Sequence, residues 1–220
     1  IPLVFEGKEY YPSQNSHWKV SPEKFEQLVK KHRIQKTPNS LQFRSFIDDF
    51  PISITHNMWT DTITGSFTDP KRFIVQTNVK VIERCILMTT DPGDIVFDPT
   101  AGSGTTVYAS EKWGRRWITC DTSRVSTTIV KHRLMTSFFD YFKLINDSIN
   151  NGFVYEAVPH LTLSTIANDE SPREEKLLDK PIINPNITRI TGPFTVEAVP
   201  SPIVKSIDAL SEESNQDTIQ

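Results

Sequence analysis

The chain has 220 residues, of which 37% are hydrophobic and 23% charged, with a formal net charge of −3 at pH 7. This length allows one folded domain with an appendage, and the slightly negative charge argues against non-specific nucleic-acid binding by the chain as a whole. Two cysteines give no disulfide framework and no metal-ligand spacing, and no apolar stretch approaches the roughly 20 residues of a membrane span. We therefore expect a reducing, cytoplasmic location and no membrane association.

The first predicted element is a helix within residues 18–36. Ser21 followed by Pro22 is a typical helix start, with serine as the cap and proline at the first helical position. Phe25 and Leu28 mark the apolar side. A basic remaining face could follow a phosphate backbone, or it could be an ordinary solvated face, and both interpretations stay open. The basic residues that we assign to DNA binding are Lys30, Lys31, Arg33 and Lys36.

A connecting segment over residues 41–62 contains Asn57, Trp59 and Asp61. Trp59 could line a ligand or base pocket with Asp61 as its polar neighbour. The alternative is a core tryptophan with Asp61 at a turn.

A helix is predicted next, because Val79, Ile82, Ile86 and Leu87 fall on one helical face. Pro92-Gly93 ends this helix and turns the chain toward a strand.

The most informative segment is residues 98–106, with the sequence Asp-Pro-Thr-Ala-Gly-Ser-Gly-Thr-Thr, directly after the apolar run 95–97. It predicts a buried strand that ends in a carboxylate, a glycine loop and the start of a helix. Glycines let a ligand lie against bare backbone, with the N–H groups of the next helix facing it. The dinucleotide-binding motif Gly-x-Gly-x-x-Gly needs a third glycine at position 107, where this chain has Val107. A phosphate-binding loop needs Gly-Lys-Ser or Gly-Lys-Thr, and neither follows Gly104. Both nucleotide-binding motifs are therefore disfavoured.

A second strand is predicted over residues 115–121 and ends in Asp121, about twenty residues after the glycine loop. A doubly wound fold places the acid that binds ribose hydroxyls there. The alternative is that Asp121 caps the next helix, a role for which Ser123 competes. That helix starts at Arg124 and is expected to extend to near Leu144.

The C-terminal part offers weaker signals. His160 follows a proline and is interpreted as structural, residues 169–176 as a solvated loop, and residues 190–200 as a short strand pair or edge strand. The polar, acidic residues 205–220 are expected to form a flexible tail.

The segment 98–106 resembles the Asp-Pro-x-x-Gly-Ser-Gly-Thr-Thr motif of the DNA amino-methyltransferases, which use S-adenosylmethionine to methylate the exocyclic nitrogen of adenine or cytosine. The resemblance implies an α/β fold: part of a Rossmann-like S-adenosylmethionine-dependent methyltransferase, with a helical N-terminal insert and an irregular C-terminal extension. Residues 57–61 resemble the family's Asn-x-Trp-x-Asp connection, whereas residues 76–78 replace its Gln-Lys-Pro. The implied cofactor-binding residues are Gln76, Thr77, Asp98, Thr100, Gly102, Ser103, Gly104, Thr105 and Asp121.

The family also carries an Asp/Asn-Pro-Pro-Tyr tetrapeptide, whose acceptors localise the lone pair of the target nitrogen while an aromatic ring stacks on the flipped base. This chain has no Pro-Pro pair and begins at Ile1. We therefore expect the C-terminal part of a larger adenine-type enzyme, with no catalytic residue in this chain and the catalytic half upstream. A cytosine-N4 enzyme and a non-catalytic DNA-recognition fragment are the alternatives.

The expected division follows from these motifs. Residues 1–62 belong to the DNA-contacting insert and connection, 63–165 to the cofactor-binding half, 166–204 to an extension and 205–220 to the tail. DNA is the expected partner, with a restriction subunit or an upstream catalytic half as a further candidate.

Overall fold

The computed structural model of the protein describes residues 2–62 and 74–199, which form a mixed arrangement of helices and short strands. The helices are α1 (Pro22–Lys30), α2 (Val79–Thr89), α3 (Thr105–Lys112), α4 (Arg124–Met135) and α5 (Leu163–Asn168). The strands are β1 (Leu3–Phe5), β2 (Lys8–Tyr10), β3 (Ile34–Lys36), β4 (Leu41–Phe43), β5 (Ile95–Asp98), β6 (Arg116–Thr119), β7 (Phe139–Phe142), β8 (Tyr155–His160), β9 (Arg173–Pro181) and β10 (Ile183–Arg189).

The unit that positions the candidate site is β5–α3–β6, as the sequence predicted. The two strands are parallel, with Ile95 opposite Arg116 and Asp98 opposite Thr119. The helix between them contacts both strands, and α2 packs along it. Because parallel strands end at the same edge of a sheet, the loops that follow Asp98 and Thr119 lie side by side.

One face of this sheet is bare, which corrects the prediction of a buried strand. The side chains of Ile95, Phe97 and Ile118 are 53%, 62% and 57% exposed. They share a face, since Phe97 lies opposite Ile118 and Ile95 is two residues before Phe97. Among the described residues, β5 and β6 pair only with each other. Parallel sheets normally occur with both faces covered, and no element among the described residues covers this one.

The first helix begins as predicted but ends earlier. Ser21 caps α1 by accepting the N–H of Lys24 at 3.5 Å, and Pro22 is its first residue. After Lys30 the chain turns through His32, whose φ is +55°, and continues as β3. Lys36 therefore lies on a strand rather than on a helical face. Leu28 of α1 is buried against Ile166 and Ala167 of α5.

The C-terminal predictions are corrected in three places. Helix α4 ends at Met135, well before Leu144, because Phe139–Phe142 forms a strand paired antiparallel with β10. Strand β9 occupies part of the expected loop at 169–176 and pairs with β8. Residues 190–199 have no regular structure, so the strand expected there is absent from the described residues. The tail expected at 205–220 lies outside the described residues.

The predicted α2 is confirmed, with Asn78 as its N-cap and a break at Gly93, whose φ is +89°. Cys85 and Cys120 are free thiols. In the part of the chain that the structure describes, no helix is long and apolar enough to cross a membrane.

Candidate functional site

The glycine loop between β5 and α3 is a tight turn with two left-handed residues. Gly102 and Gly104 have φ values of +52° and +72°. The N–H of Gly104 donates to the carbonyl of Ala101 at 2.7 Å, and the N–H of Ala101 donates to the carbonyl of Cys120 at 2.9 Å. The second bond fixes the loop to the end of β6. Both positions favour glycine, because residues with a side chain rarely adopt a positive φ.

The two glycines differ in what surrounds them. A Cβ atom at Gly104 would lie 2.8 Å from Cγ2 of Val130, so this glycine also allows α4 to approach the loop. A Cβ atom at Gly102 would meet only the carbonyl oxygen of Thr100, at 3.8 Å. Gly102 therefore presents backbone on the open side of the loop.

Asp98 stands at the tip of β5, next to the loop. Its Oδ1 accepts the N–H of Thr100 at 2.9 Å and lies 3.3 Å from the Thr100 hydroxyl. Its Oδ2 accepts no hydrogen bond from any described residue. Because the first oxygen orders the turn and the second is available, the carboxylate can bind a cationic group without losing its structural bond.

Asp121 follows β6 and holds the loop directly. Its Oδ2 accepts the N–H of Gly102 at 2.9 Å and lies 2.8 Å from the Ser126 hydroxyl, while Oδ1 accepts the N–H of Ser123 at 2.8 Å. The N–H groups of Ser123 and Gly102, and then the Ser126 hydroxyl, lower the pKa of Asp121. The carboxylate therefore stays ionised and ties β6 to the glycine loop.

The helix-cap alternative for Asp121 is resolved in favour of its neighbour. Ser123 is the N-cap of α4 and accepts the N–H of Ser126 at 3.4 Å. Since a carboxylate oxygen has two lone pairs, Oδ1 of Asp121 retains one for a ligand hydroxyl.

The start of α3 completes the arrangement. Gly104 is its N-cap and provides no side-chain acceptor for the first helical N–H groups. Such uncapped N–H groups favour an anionic ligand. Ser103 and Thr105 are both buried, with their hydroxyl oxygens 2.9 Å apart. The structure thus brings seven predicted residues together: Asp98, Thr100, Gly102, Ser103, Gly104, Thr105 and Asp121.

The other two predicted cofactor residues, Gln76 and Thr77, directly precede α2. Asn78 caps this helix by accepting the N–H of Lys80 at 2.9 Å. Gln76 and Thr77 therefore lie just before the N-cap of the helix that packs along α3.

The segment with Trp59 is fixed to α2. The carboxylate of Asp61 accepts hydrogen bonds from both terminal nitrogens of Arg84, each at 2.8 Å, and lies 3.3 Å from the Lys80 ammonium. These hydrogen bonds, led by that from Arg84, lower the pKa of Asp61 to about 2. The Arg84 guanidinium also lies over the Trp59 ring, 5.2 Å from its centroid. Asp61 lies at a turn, as one alternative had it, but Trp59 is half-buried and is not the core residue that this alternative expected. Lys80 also forms an ion pair with Asp61.

Three of the four basic residues assigned to DNA binding have partners within the chain. Lys31 is 2.6 Å from Asp169, and Lys36 is 3.8 Å from Glu6. Arg33 forms a two-fold hydrogen bond with buried Asp49, at 2.6 and 2.7 Å. Lys30 is exposed on the last turn of α1. Arg33 therefore has a structural bond that a phosphate would have to replace.

Ser126 was missed by sequence reasoning. It is fully buried, and its hydroxyl lies 2.7 Å from the Gly102 carbonyl as well as 2.8 Å from Asp121. The available signal was a small polar residue three positions after the N-cap, on the face of α4 that also carries Val130.

The fold and the loop define a class: an α/β protein with a glycine turn between two parallel strands, an arrangement that can accommodate a small ligand. A family model described as DNA methylase, of the N6/N4 methyltransferase type, matches residues 2–132. The chain belongs to this family. DNA methyltransferases of this family use S-adenosyl-L-methionine.

Several curated relatives are similar to parts of the chain. It is 38% identical over 79 residues to the type II methyltransferase M.BamHI of Bacillus amyloliquefaciens, covering 36% of this chain and 18% of the relative. It is 28% identical over 156 residues to M.EcaI of Enterobacter cloacae, covering 66% and 33%. For M2.DpnII of Streptococcus pneumoniae the identity is 33% over 79 residues, covering 36% and 30%. The matched part spans a third or less of each relative.

Proposed function

We propose that this chain is the cofactor-binding part of a type II, site-specific DNA methyltransferase that transfers a methyl group from S-adenosylmethionine to adenine N6. The observation that carries the proposal is the glycine turn at 102–104, bordered by the carboxylates of Asp98 and Asp121. It supports a partial Rossmann-like arrangement in which strand ends hold the ligand. Cytosine N4 is the alternative acceptor.

The residues present fit the proposed cofactor. The free Oδ2 of Asp98 would accept a hydrogen bond from the ligand's ammonium group, and the N–H groups that begin α3 would face its carboxylate. The remaining lone pair on Oδ1 of Asp121 would accept from a ribose hydroxyl. When bound, S-adenosylmethionine supplies an electrophilic methyl group on a sulfonium. Holding that group in line with the acceptor nitrogen is the contribution expected of the protein.

The catalytic half is proposed to lie in the rest of the protein. The relatives are at least three times as long as the segment they share with this chain. The exposed apolar side chains of Ile95, Phe97 and Ile118 form a parallel-sheet face that an additional layer would bury. We propose that the upstream half provides this layer together with the base-binding acceptors, so that the chain alone is inactive.

The cofactor assignment is tested by calorimetric titration with S-adenosylmethionine. Asp98→Asn keeps the oxygen that accepts the Thr100 N–H and removes the charge, so it separates ligand binding from loop folding. Loss of a charged hydrogen bond of about 1.5–3 kcal/mol predicts roughly tenfold to hundredfold weaker binding. Asp94→Asn is the matched control, because Asp94 accepts the N–H of Asp91 at the opposite end of β5. Equal affinity in the parent and both variants would contradict the assignment.

A methylation assay tests the proposed acceptor nitrogen and the proposed inactivity of the chain alone. DNA substrates carrying only adenine or only cytosine as the acceptor at the target site distinguish the two nitrogens in the full-length protein. The chain alone should transfer no methyl group, and any turnover by it would overturn the proposal that the catalytic residues lie elsewhere.

A further inference from the structure

Helix α4 contacts the glycine loop through three side chains on one face. Ser126, Val130 and Arg133 are spaced by four and three residues, which places them in a row along the helix. The Ser126 hydroxyl lies 2.7 Å from the carbonyl oxygen of Gly102. Val130 packs beneath Gly104, and Nη1 of Arg133 donates to the carbonyl oxygen of Ser103 at 3.1 Å. Three consecutive loop residues are thus held by a helix outside the loop motif.

The guanidinium of Arg133 is itself held in place. The residue is only 7% exposed, and its guanidinium carbon lies over the Tyr108 ring, 4.5 Å from the centroid. Nη1 also lies 3.4 Å from the Thr105 hydroxyl. Tyr108 in turn contacts Phe139, with the ring centroids 5.4 Å apart. A planar cation fixed by an aromatic ring is a rigid donor, which a flexible lysine does not reproduce.

We propose that Arg133 and Ser126 are positioning residues for the ligand-binding loop. Arg133 holds the Ser103 carbonyl toward the interior, and Ser126 does the same for the Gly102 carbonyl. Because a carbonyl turned outward would present negative charge to the ligand's carboxylate, holding both inward leaves the uncapped N–H groups at the start of α3 without a competing negative dipole. This inference rests on the proposed cofactor site and adds α4 to it.

The Ser126 hydroxyl has one proton and two acceptors within 2.8 Å, the Gly102 carbonyl and the Asp121 carboxylate. It therefore donates to one of them at a time. Its loss would remove a donor from the partly buried Gly102 carbonyl and loosen the bond between Asp121 and the loop.

The first test needs no ligand. Amide resonances of Gly102 and Gly104 are compared by two-dimensional NMR in the parent, Arg133→Lys, Ser126→Ala and the control Phe142→Leu. Phe142 is buried in a separate cluster with Trp113 and Phe153, so its substitution destabilises the protein without touching the loop. We expect shifted loop resonances and faster hydrogen exchange in the first two variants. Unchanged loop resonances in both would overturn the inference.

The second test measures S-adenosylmethionine affinity and thermal stability of the same proteins, with Arg133→Met added. We expect at least tenfold weaker binding for Arg133→Met and Ser126→Ala, partial recovery for Arg133→Lys, and less than a twofold change for Phe142→Leu despite its lower Tm. Parent-like affinity in Arg133→Lys and Ser126→Ala would overturn the inference. Should Arg133→Met not fold, these two variants decide the result. Absence of binding by the parent would instead refute the proposed function, while the loop resonances would still decide the role of α4.

Discussion

A methyl group at Gly104 provides the most direct test of how the loop is built. Gly104→Ala forces an alanine into φ +72° and places its Cβ 2.8 Å from Cγ2 of Val130. The left-handed conformation costs about 1–2 kcal/mol, and overpacking against a buried side chain costs about 1–3 kcal/mol more. We expect a loss of about 3 kcal/mol in the free energy of unfolding, measured by urea denaturation followed by circular dichroism.

Two further variants separate the cost of the left-handed conformation from the cost of overpacking. Gly102→Ala has a similar φ of +52° but no contact closer than 3.8 Å, so it should lose only the conformational part, about 1 kcal/mol. Val130→Ala removes Cγ2, the atom that lies 2.8 Å from the added Cβ, so the double variant with Gly104→Ala should be more stable than the sum of the single losses predicts, by about 1–2 kcal/mol. Equal losses at the two glycines, or strict additivity with Val130→Ala, would show that α4 does not limit the space at Gly104.

Three other predictions concern charges. Asp49→Asn removes the buried carboxylate that pairs with Arg33, whose side chain is 13% exposed, and should lower the free energy of unfolding by about 3 kcal/mol, as a urea series will show. Asp169→Asn removes the solvent-exposed pair with Lys31 and should leave the urea midpoint unchanged within error; a loss as large as that of Asp49→Asn would contradict the distinction. The pKa values of Asp49 and Asp121 are lowered in the folded protein, so their contribution to stability is complete above the unfolded pKa of about 4 and disappears as the pH falls through the folded pKa values. Thermal unfolding measured between pH 2 and 6 should show a Tm that decreases toward low pH. An unchanged Tm would contradict this prediction.

The local elements were predictable because their signals lie within a few residues. Ser21-Pro22 predicted the start of α1, and Pro92-Gly93 predicted the break after α2. The strand, glycine turn and helix at 95–112 also follow from one contiguous pattern. Seven of the nine predicted cofactor residues meet for this reason, since each lies at one of two adjacent strand ends.

The missed features depend on partners distant in sequence. Strand β10 has polar residues and Pro185, and its pairing with β7 bridges more than forty residues. Such pairing is not encoded in local alternation. The interaction of Arg133 with Ser103 likewise spans thirty positions, so the motif around Gly102 gives no indication of it. The bonds of Asp121 to Gly102 and Ser126 could not be anticipated either, because they depend on how closely α4 approaches the loop.

The bare face of β5 and β6 has a practical consequence for the purified chain. The side chains of Ile95, Phe97 and Ile118 form an exposed apolar patch that a second molecule of the chain can cover. Salts such as sulfate strengthen the burial of apolar surface, so light scattering by concentrated samples should increase with added sulfate. We therefore expect the chain to remain monodisperse in dilute, low-sulfate buffers.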